Sequence, residues 1–200
     1  ILDLDNTLWG GIVGDDGIEN IEIGHLGQGK AFSELQQWVK QLKERGILLA
    51  VCSKNDEAIA KEPFLKHPDM ELSLDDISIF VASWDSKVDN IQYIQKFLNI
   101  GFDSMVFLDD NAFERNLIRT HLPEIFVPEL PVDPVEYLTY LRTLNLFETS
   151  SFTEGDQERT QQLQDEAERV IIQKTFTSED DFLESLAMEC VIKNFDDFNI

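Results

Sequence analysis

Basic residues are scarce in this chain. Sixteen Lys and Arg stand against 39 Asp and Glu in 200 residues, a formal net charge of −23. The deficit is general: residues 1–150 carry 12 basic and 26 acidic side chains, and residues 151–200 carry 4 and 13. Such a field repels polyphosphates, which argues against nucleic acid and anionic membrane as partners. An anionic small molecule would have to be received by locally placed lysines, backbone amides or a metal ion. Cysteine is also scarce. Cys52 and Cys190 share no close spacing, and with only three histidines no zinc pattern forms. Two lone thiols suit a reducing cytoplasm. No apolar run approaches the roughly 20 residues needed to span a bilayer, and the opening residues lack a signal-peptide pattern. A chain that starts at Ile1, inside a strand-like run, is expected to be a piece of a longer protein. Apolar content of 42% is ordinary for a globular chain and sufficient for one α/β domain with a sizeable core.

Short apolar runs alternate with amphipathic helices. Strands are expected at 1–5, 47–52, 79–82, 105–108 and 125–127. Helices are expected at about 30–45, 56–66, 88–98, 112–121 and 134–144. Phe32, Leu35, Val39 and Leu42 fall at helical spacing, with Gly46 as the stop. Asn55 or Asp56 can cap the second helix. The Gly-rich stretch from Trp9 to about Gly29 reads as a flap or hairpin. Strands and helices in this rhythm argue for βαβ units in a doubly wound, mostly parallel sheet, whose ligands bind beyond the carboxyl ends of the strands. Residues 1–144 are expected to form the core. Residues 145–200 are expected to be a mainly helical appendage or the start of a next domain, with helices at about 153–173 and 177–186 and a strand at 190–193.

The opening Ile1-Leu2-Asp3-Leu4-Asp5-Asn6-Thr7 is the most informative segment. Residues two apart on a strand share a face, so Asp3 and Asp5 are expected at one pocket, where like charges need a cation or a shared proton. Each later polar cluster also follows a strand: Ser53-Lys54-Asn55, Lys87, and Asp109-Asp110.

In this order the four clusters resemble the haloacid dehalogenase-like (HAD-like) superfamily over roughly residues 1–130. That resemblance implies a HAD-like α/β fold with a small flap and no large cap domain. It implies Asp3 as phosphorus-attacking nucleophile, Asp5 as acid and base, and Thr7, Ser53 and Lys87 as phosphate-site residues. It also implies Mg²⁺ held by Asp3, the Asp5 carbonyl and Asp109, with Asp110 as a further partner. A narrower match lies in Leu8-Trp9-Gly10-Gly11, Val51-Cys52-Ser53-Lys54-Asn55, Glu62-Pro63-Phe64 with His67-Pro68, and Phe107-Leu108-Asp109-Asp110-Asn111. It is similar to the FkbH-like branch (subfamily IIIC) of polyketide-type biosynthesis. Ala112 departs from that pattern, which has proline there.

The narrower resemblance implies transfer of a glyceryl group from D-1,3-bisphosphoglycerate to the phosphopantetheine thiol of an acyl carrier protein, with dephosphorylation, sometimes beside other domains of a synthase. Cys52 is then read either as a relay thiol or as a buried core residue. Lys54 and Asn55 are read as substrate ligands, and Trp9 as a pocket wall or as core. Lys54, Lys61, Lys66, Arg115 and Arg119 are candidate bases for docking an acidic carrier. Two alternatives stand beside this reading. One is a plain magnesium phosphatase acting on a small phosphate ester; the other is a non-catalytic docking domain of a synthase.

Overall fold

The computed structural model describes residues 1–148 together with Ser178, Asp181, Glu184 and Ser185. The chain divides into two units, Ile1–Ala167 and Glu168–Ile200, and the architecture below belongs to the first. The expected helix at 153–173, the strand at 190–193 and Cys190 lie outside the described residues; of the expected helix at 177–186 only Ser178, Asp181, Glu184 and Ser185 are described, the last three of them helical.

Two strands, β1 (Ala50–Ser53) and β2 (Ile79–Ala82), pair in parallel with Ala50 opposite Ile79 and Ser53 opposite Ala82. Among residues 1–148 the α-helices are α1 (Val13–Asp16), α2 (Gly29–Glu44), α3 (Glu57–Lys66), α4 (Lys87–Leu98), α5 (Ala112–His121) and α6 (Tyr137–Thr143). The other three expected strands join the layer by single parallel bridges. Leu2 bridges Val51 on one side and Leu108 on the other, and Val106 bridges Phe126. Main-chain bonds from Leu2 N to Ala50 O (2.8 Å), Asp3 N to Leu108 O (2.9 Å) and Phe107 N to Phe126 O (3.0 Å) hold these segments. The parallel layer therefore runs β2, β1, the Leu2 segment, the Leu108 segment, the Phe126 segment. The strand expected at 47–52 is shifted, beginning at Ala50 and including Ser53.

Both faces of this layer are covered. Val51 and Leu108 pack with Phe32, Leu35 and Val39 of α2, Phe64 of α3, and Tyr137 and Leu141 of α6. Their neighbours Cys52 and Phe107 face the opposite way, against Val88, Ile91 and Ile94 of α4 and Ile118 of α5. Strand alternation produces this split. Each fully buried Leu, Ile or Phe contributes about 1.5–3 kcal/mol relative to an exposed one.

Helix starts obey capping chemistry. Asp56 accepts from Ala58 N, Ser86 from Val88 N and Asn111 from Phe113 N. Gly46, at φ +88°, ends the turn after α2. The expected flap is not a simple hairpin. It holds the single-turn α1 and one antiparallel bridge between Gly10 and Glu22.

Candidate metal and phosphate site

The polar residues after the strand segments converge on a cleft of about 360 Å³. Asp3, Asp5, Ser53, Lys54, Lys87 and Asp110 all line it. A smaller cavity of about 70 Å³ lies elsewhere and is lined almost wholly by apolar side chains such as Trp38, Leu42, Leu98 and Met105, which suits packing rather than chemistry.

At the cleft floor, one carboxylate oxygen each from Asp3, Asp109 and Asp110 lies within 4.8 Å of the others. The Lys87 ammonium sits between two of these acids, 2.9 Å from Asp3 Oδ1 and 2.6 Å from Asp109 Oδ2. Asp3, Lys87 and Asp109 are all buried. Lys87 opens α4, where the helix dipole disfavours a cation. Its two carboxylate contacts outweigh that penalty, and a local rule broken this way marks a functional position.

One ammonium against three carboxylates leaves two negative charges uncompensated. Burial pushes the Asp3 carboxyl above its ordinary value despite Lys87. Burial and the neighbouring Asp3 charge push Asp109 up to about 6, again against Lys87. Asp110 is raised by burial and by Asp109. Burial alone would lower Lys87, but the Asp3 and Asp109 charges overcome it and hold the ammonium protonated above its ordinary range. An all-oxygen donor set, two of its three acids buried and Asp110 half-buried, that is short of two positive charges fits a hard divalent cation such as Mg²⁺.

Asp5 lines the same cleft, but its carboxylate stands outside the three-acid group. Oδ1 accepts from Trp9 Nε1 (2.9 Å) and Val13 N (3.0 Å), and Oδ2 from Asn55 Nδ2 (3.1 Å). The expected Asp3–Asp5 charge pair is thus replaced by a cluster of Asp3 with Asp109 and Asp110, while Asp5 is oriented by neutral donors. Its main-chain carbonyl, not its carboxylate, is the metal ligand that the family resemblance implies.

Several of the expected ligands have partners of their own within the chain. Asn55 is buried; it donates to Asp5, and its Oδ1 accepts from Asp56 N at 2.8 Å. Thr7 is fully buried, and its Oγ1 accepts from Asp110 N at 3.1 Å. Lys54 pairs with Glu114 at 2.7 Å. Trp9 is core: it is fully buried, edge-on to Phe64 with ring centroids 5.9 Å apart.

Cys52 is a correction to the relay reading. Its side chain is fully buried in the α4–α5 face of the core, and it is not among the cleft-lining residues. Burial pushes its thiol up to about 12, leaving almost no thiolate near neutral pH. The candidate docking bases each stand beside an acid of the chain. Lys61 pairs with Glu57, Lys66 with Glu62, and both Arg115 and Arg119 with Glu129. Arg115 is itself buried.

Four residues that line the cleft have no site role in the sequence analysis: Ile12, Asp15, Trp84 and Glu114. Trp84 is 76% exposed at the rim. An aromatic directly after a strand segment was the available signal. Glu114, in the first turn of α5, reads from sequence only as a complement to the helix dipole.

Of the comparisons with known proteins, the one with a solved structure agrees with this chemistry. No family model matches the chain. It is 34% identical over 64 residues to the lactose operon transcription activator of Staphylococcus xylosus, an overlap of 32% of this chain and 23% of that protein. It is also similar to the magnesium-complexed crystal structure of the N-terminal part of protein BF1531 from Bacteroides fragilis, which contains a phosphatase domain. Identity there is 69% and the TM-score 0.74, over 76% of this chain and 40% of that one. The chain therefore spans well under half of either protein, and its mixed α/β architecture matches that of a phosphatase domain.

Proposed function

We propose that this chain is a HAD-like, magnesium-dependent phosphoryl-transfer domain that uses Asp3 as nucleophile. The observation that carries the reading is the Asp3–Asp109–Asp110 group, with carboxylate oxygens within 4.8 Å and Lys87 bridging two of its members. The likeness to the magnesium-complexed phosphatase domain supports it.

In this mechanism Lys87 and Ser53 hold the phosphate of the substrate. An Asp3 oxygen attacks phosphorus as the bond to the leaving oxygen breaks. Asp5 gives that oxygen a proton, then takes one from the water that hydrolyses the aspartyl-phosphate and frees Asp3. The donors on Asp5 from Trp9, Val13 and Asn55 fix its direction. Bound Mg²⁺, held by Asp3, Asp109, Asp110 and the Asp5 carbonyl, would supply charge neutralisation at the phosphate.

The finer reading follows the FkbH-like motifs: the substrate is D-1,3-bisphosphoglycerate and the acceptor an acyl carrier protein. The carrier's phosphopantetheine thiol attacks the acyl carbonyl directly, the C–S bond forming as the C–O bond to the 1-phosphate breaks and the S–H proton leaves with that phosphate. The Asp3 machinery then removes the 3-phosphate. Cys52, being a core residue, takes no part. The cleft rim, with Trp84 and Ile12 exposed, leaves room for a carrier arm.

Two assays test these levels. Phosphate release from p-nitrophenyl phosphate is expected with Mg²⁺, but not with EDTA or in Asp3→Asn. Equal background in both proteins would favour a docking role. Intact-mass measurement of a carrier mixed with the protein, bisphosphoglycerate and Mg²⁺ is expected to show a glyceryl adduct. Phosphate release without any adduct would leave the plain phosphatase.

A further inference from the structure

We propose that Arg115 is the positioning residue that sets Asp109 and Asp110 for the divalent ion, with Glu129 as its far anchor. The inference rests on the reading of these acids as a Mg²⁺ site. Successive side chains of an extended backbone point to opposite sides. For Asp109 and Asp110 both to reach Asp3, the chain must turn between them, which leaves their carbonyl oxygens needing donors inside the protein.

Arg115 supplies both. Its Nη1 donates to Asp109 O at 2.9 Å and to Asp110 O at 2.6 Å. Its Nη2 is paired with Glu129. Glu129 is held in turn by Arg119 at 2.7 Å, and Arg119 Nη2 donates to Val127 O at 2.8 Å. The planar guanidinium thus ties the acid-bearing loop to the segment beyond the Phe126 bridge. An ammonium, a point charge on a flexible stem, lacks that fixed fork. Arg115 is 4% exposed, so its reach is fixed by packing. It stands behind the loop rather than among the cleft-lining residues.

The test is Mg²⁺ binding to the full chain by calorimetry, for wild type, Arg115→Met, Arg115→Lys and Glu129→Gln. Arg115→Met keeps the apolar stem and removes the donors. It is expected to weaken Mg²⁺ binding about tenfold or more, as loss of a residue orienting metal ligands does. Arg115→Lys should recover part of the loss, and Glu129→Gln should give a smaller loss. Phosphate release by Arg115→Met should also recover as Mg²⁺ is raised, which a general packing defect would not do.

Arg115→Met with cooperative melting and Mg²⁺ affinity within about twofold of wild type would overturn the assignment. If Arg115→Met fails to melt cooperatively, Glu129→Gln decides, since that side chain is 59% exposed: unchanged affinity overturns the proposal and weakened affinity supports it. Wild-type protein that binds no Mg²⁺ would instead overturn the metal reading beneath it.

Discussion

Replacing Lys87 by Met removes the ammonium that sits against both Asp3 and Asp109 while keeping a side chain of similar length. At 2.9 and 2.6 Å, each contact is worth about 6 kcal/mol of Coulomb energy at an effective dielectric of about 20. Most of that offsets the cost of burying three charges. Breaking such a buried network still leaves an uncompensated loss of about 3–5 kcal/mol. With a urea slope of about 2 kcal/mol/M, the midpoint should fall by about 1.5–2.5 M in EDTA at pH 7.

The sign of the pH effect follows from the carboxyls. Asp3 and Asp109 already bind protons more tightly folded than unfolded, because burial raises them. Their contribution to stability therefore declines as pH rises from the unfolded value near 4 through the folded one. Without Lys87 these acids rise further, so the penalty of the variant should shrink as pH falls from 7 toward 5. Mg²⁺ should shrink it too, by replacing the missing positive charge. A loss under about 1 kcal/mol in EDTA at pH 7, below the range for breaking a buried pair, would refute the reasoning. So would a penalty that grows on adding Mg²⁺.

Two further outcomes are expected. Burial alone would raise Asp76, but hydrogen bonds from Ser73 N and Oγ and the nearby ammoniums of Lys43 and Lys40 outweigh it and hold the carboxyl below its ordinary value. Its stabilisation is thus present above about pH 4 and lost as pH falls through the lower folded value. Asp76→Asn should cost about 1–2 kcal/mol at pH 7, with the gap to wild type closing below about pH 4 in urea melts. Cys52→Ala should cost about 1 kcal/mol of stability, from one buried group removed, and leave phosphate release and carrier loading unchanged. Loss of loading with phosphate release intact would restore the relay role.

The longer helices were legible from local spacing, and the acid cluster from the strand-end positions of its members together with the family resemblance. Phe32, Leu35, Val39 and Leu42 keep the α2 register, and all four are buried. Asp3, Ser53 and Asp110 reach one cleft because each ends or directly follows a segment of one parallel layer, and Lys87 joins them from the first residue of α4, after β2. What could not be read were contacts between distant segments. Gln36 lies on the buried stripe of α2, four residues after Phe32. Its amide bonds Leu8 O at 2.7 Å and Glu71 N at 3.1 Å, bracing the turn under the cleft. Nothing local announced those partners. The same holds for Asn55, legible as a cap yet bonded to Asp5, and for Arg115, legible as a surface base yet buried behind the acids. For Cys52 the sequence left two readings open. Adjacency to Ser53 suggested the cleft, but alternation turned its side chain into the opposite core face.

The central claim is that Asp3, Asp109 and Asp110 hold one divalent ion. Anomalous diffraction from crystals grown with Mn²⁺, as a stand-in for Mg²⁺, tests it most directly. The expected result is a peak bonded to carboxylate oxygens of those three residues and lost in Asp109→Asn. Well-ordered crystals with no peak among these acids, or with the ion bound at a site that excludes Asp3, would contradict the account.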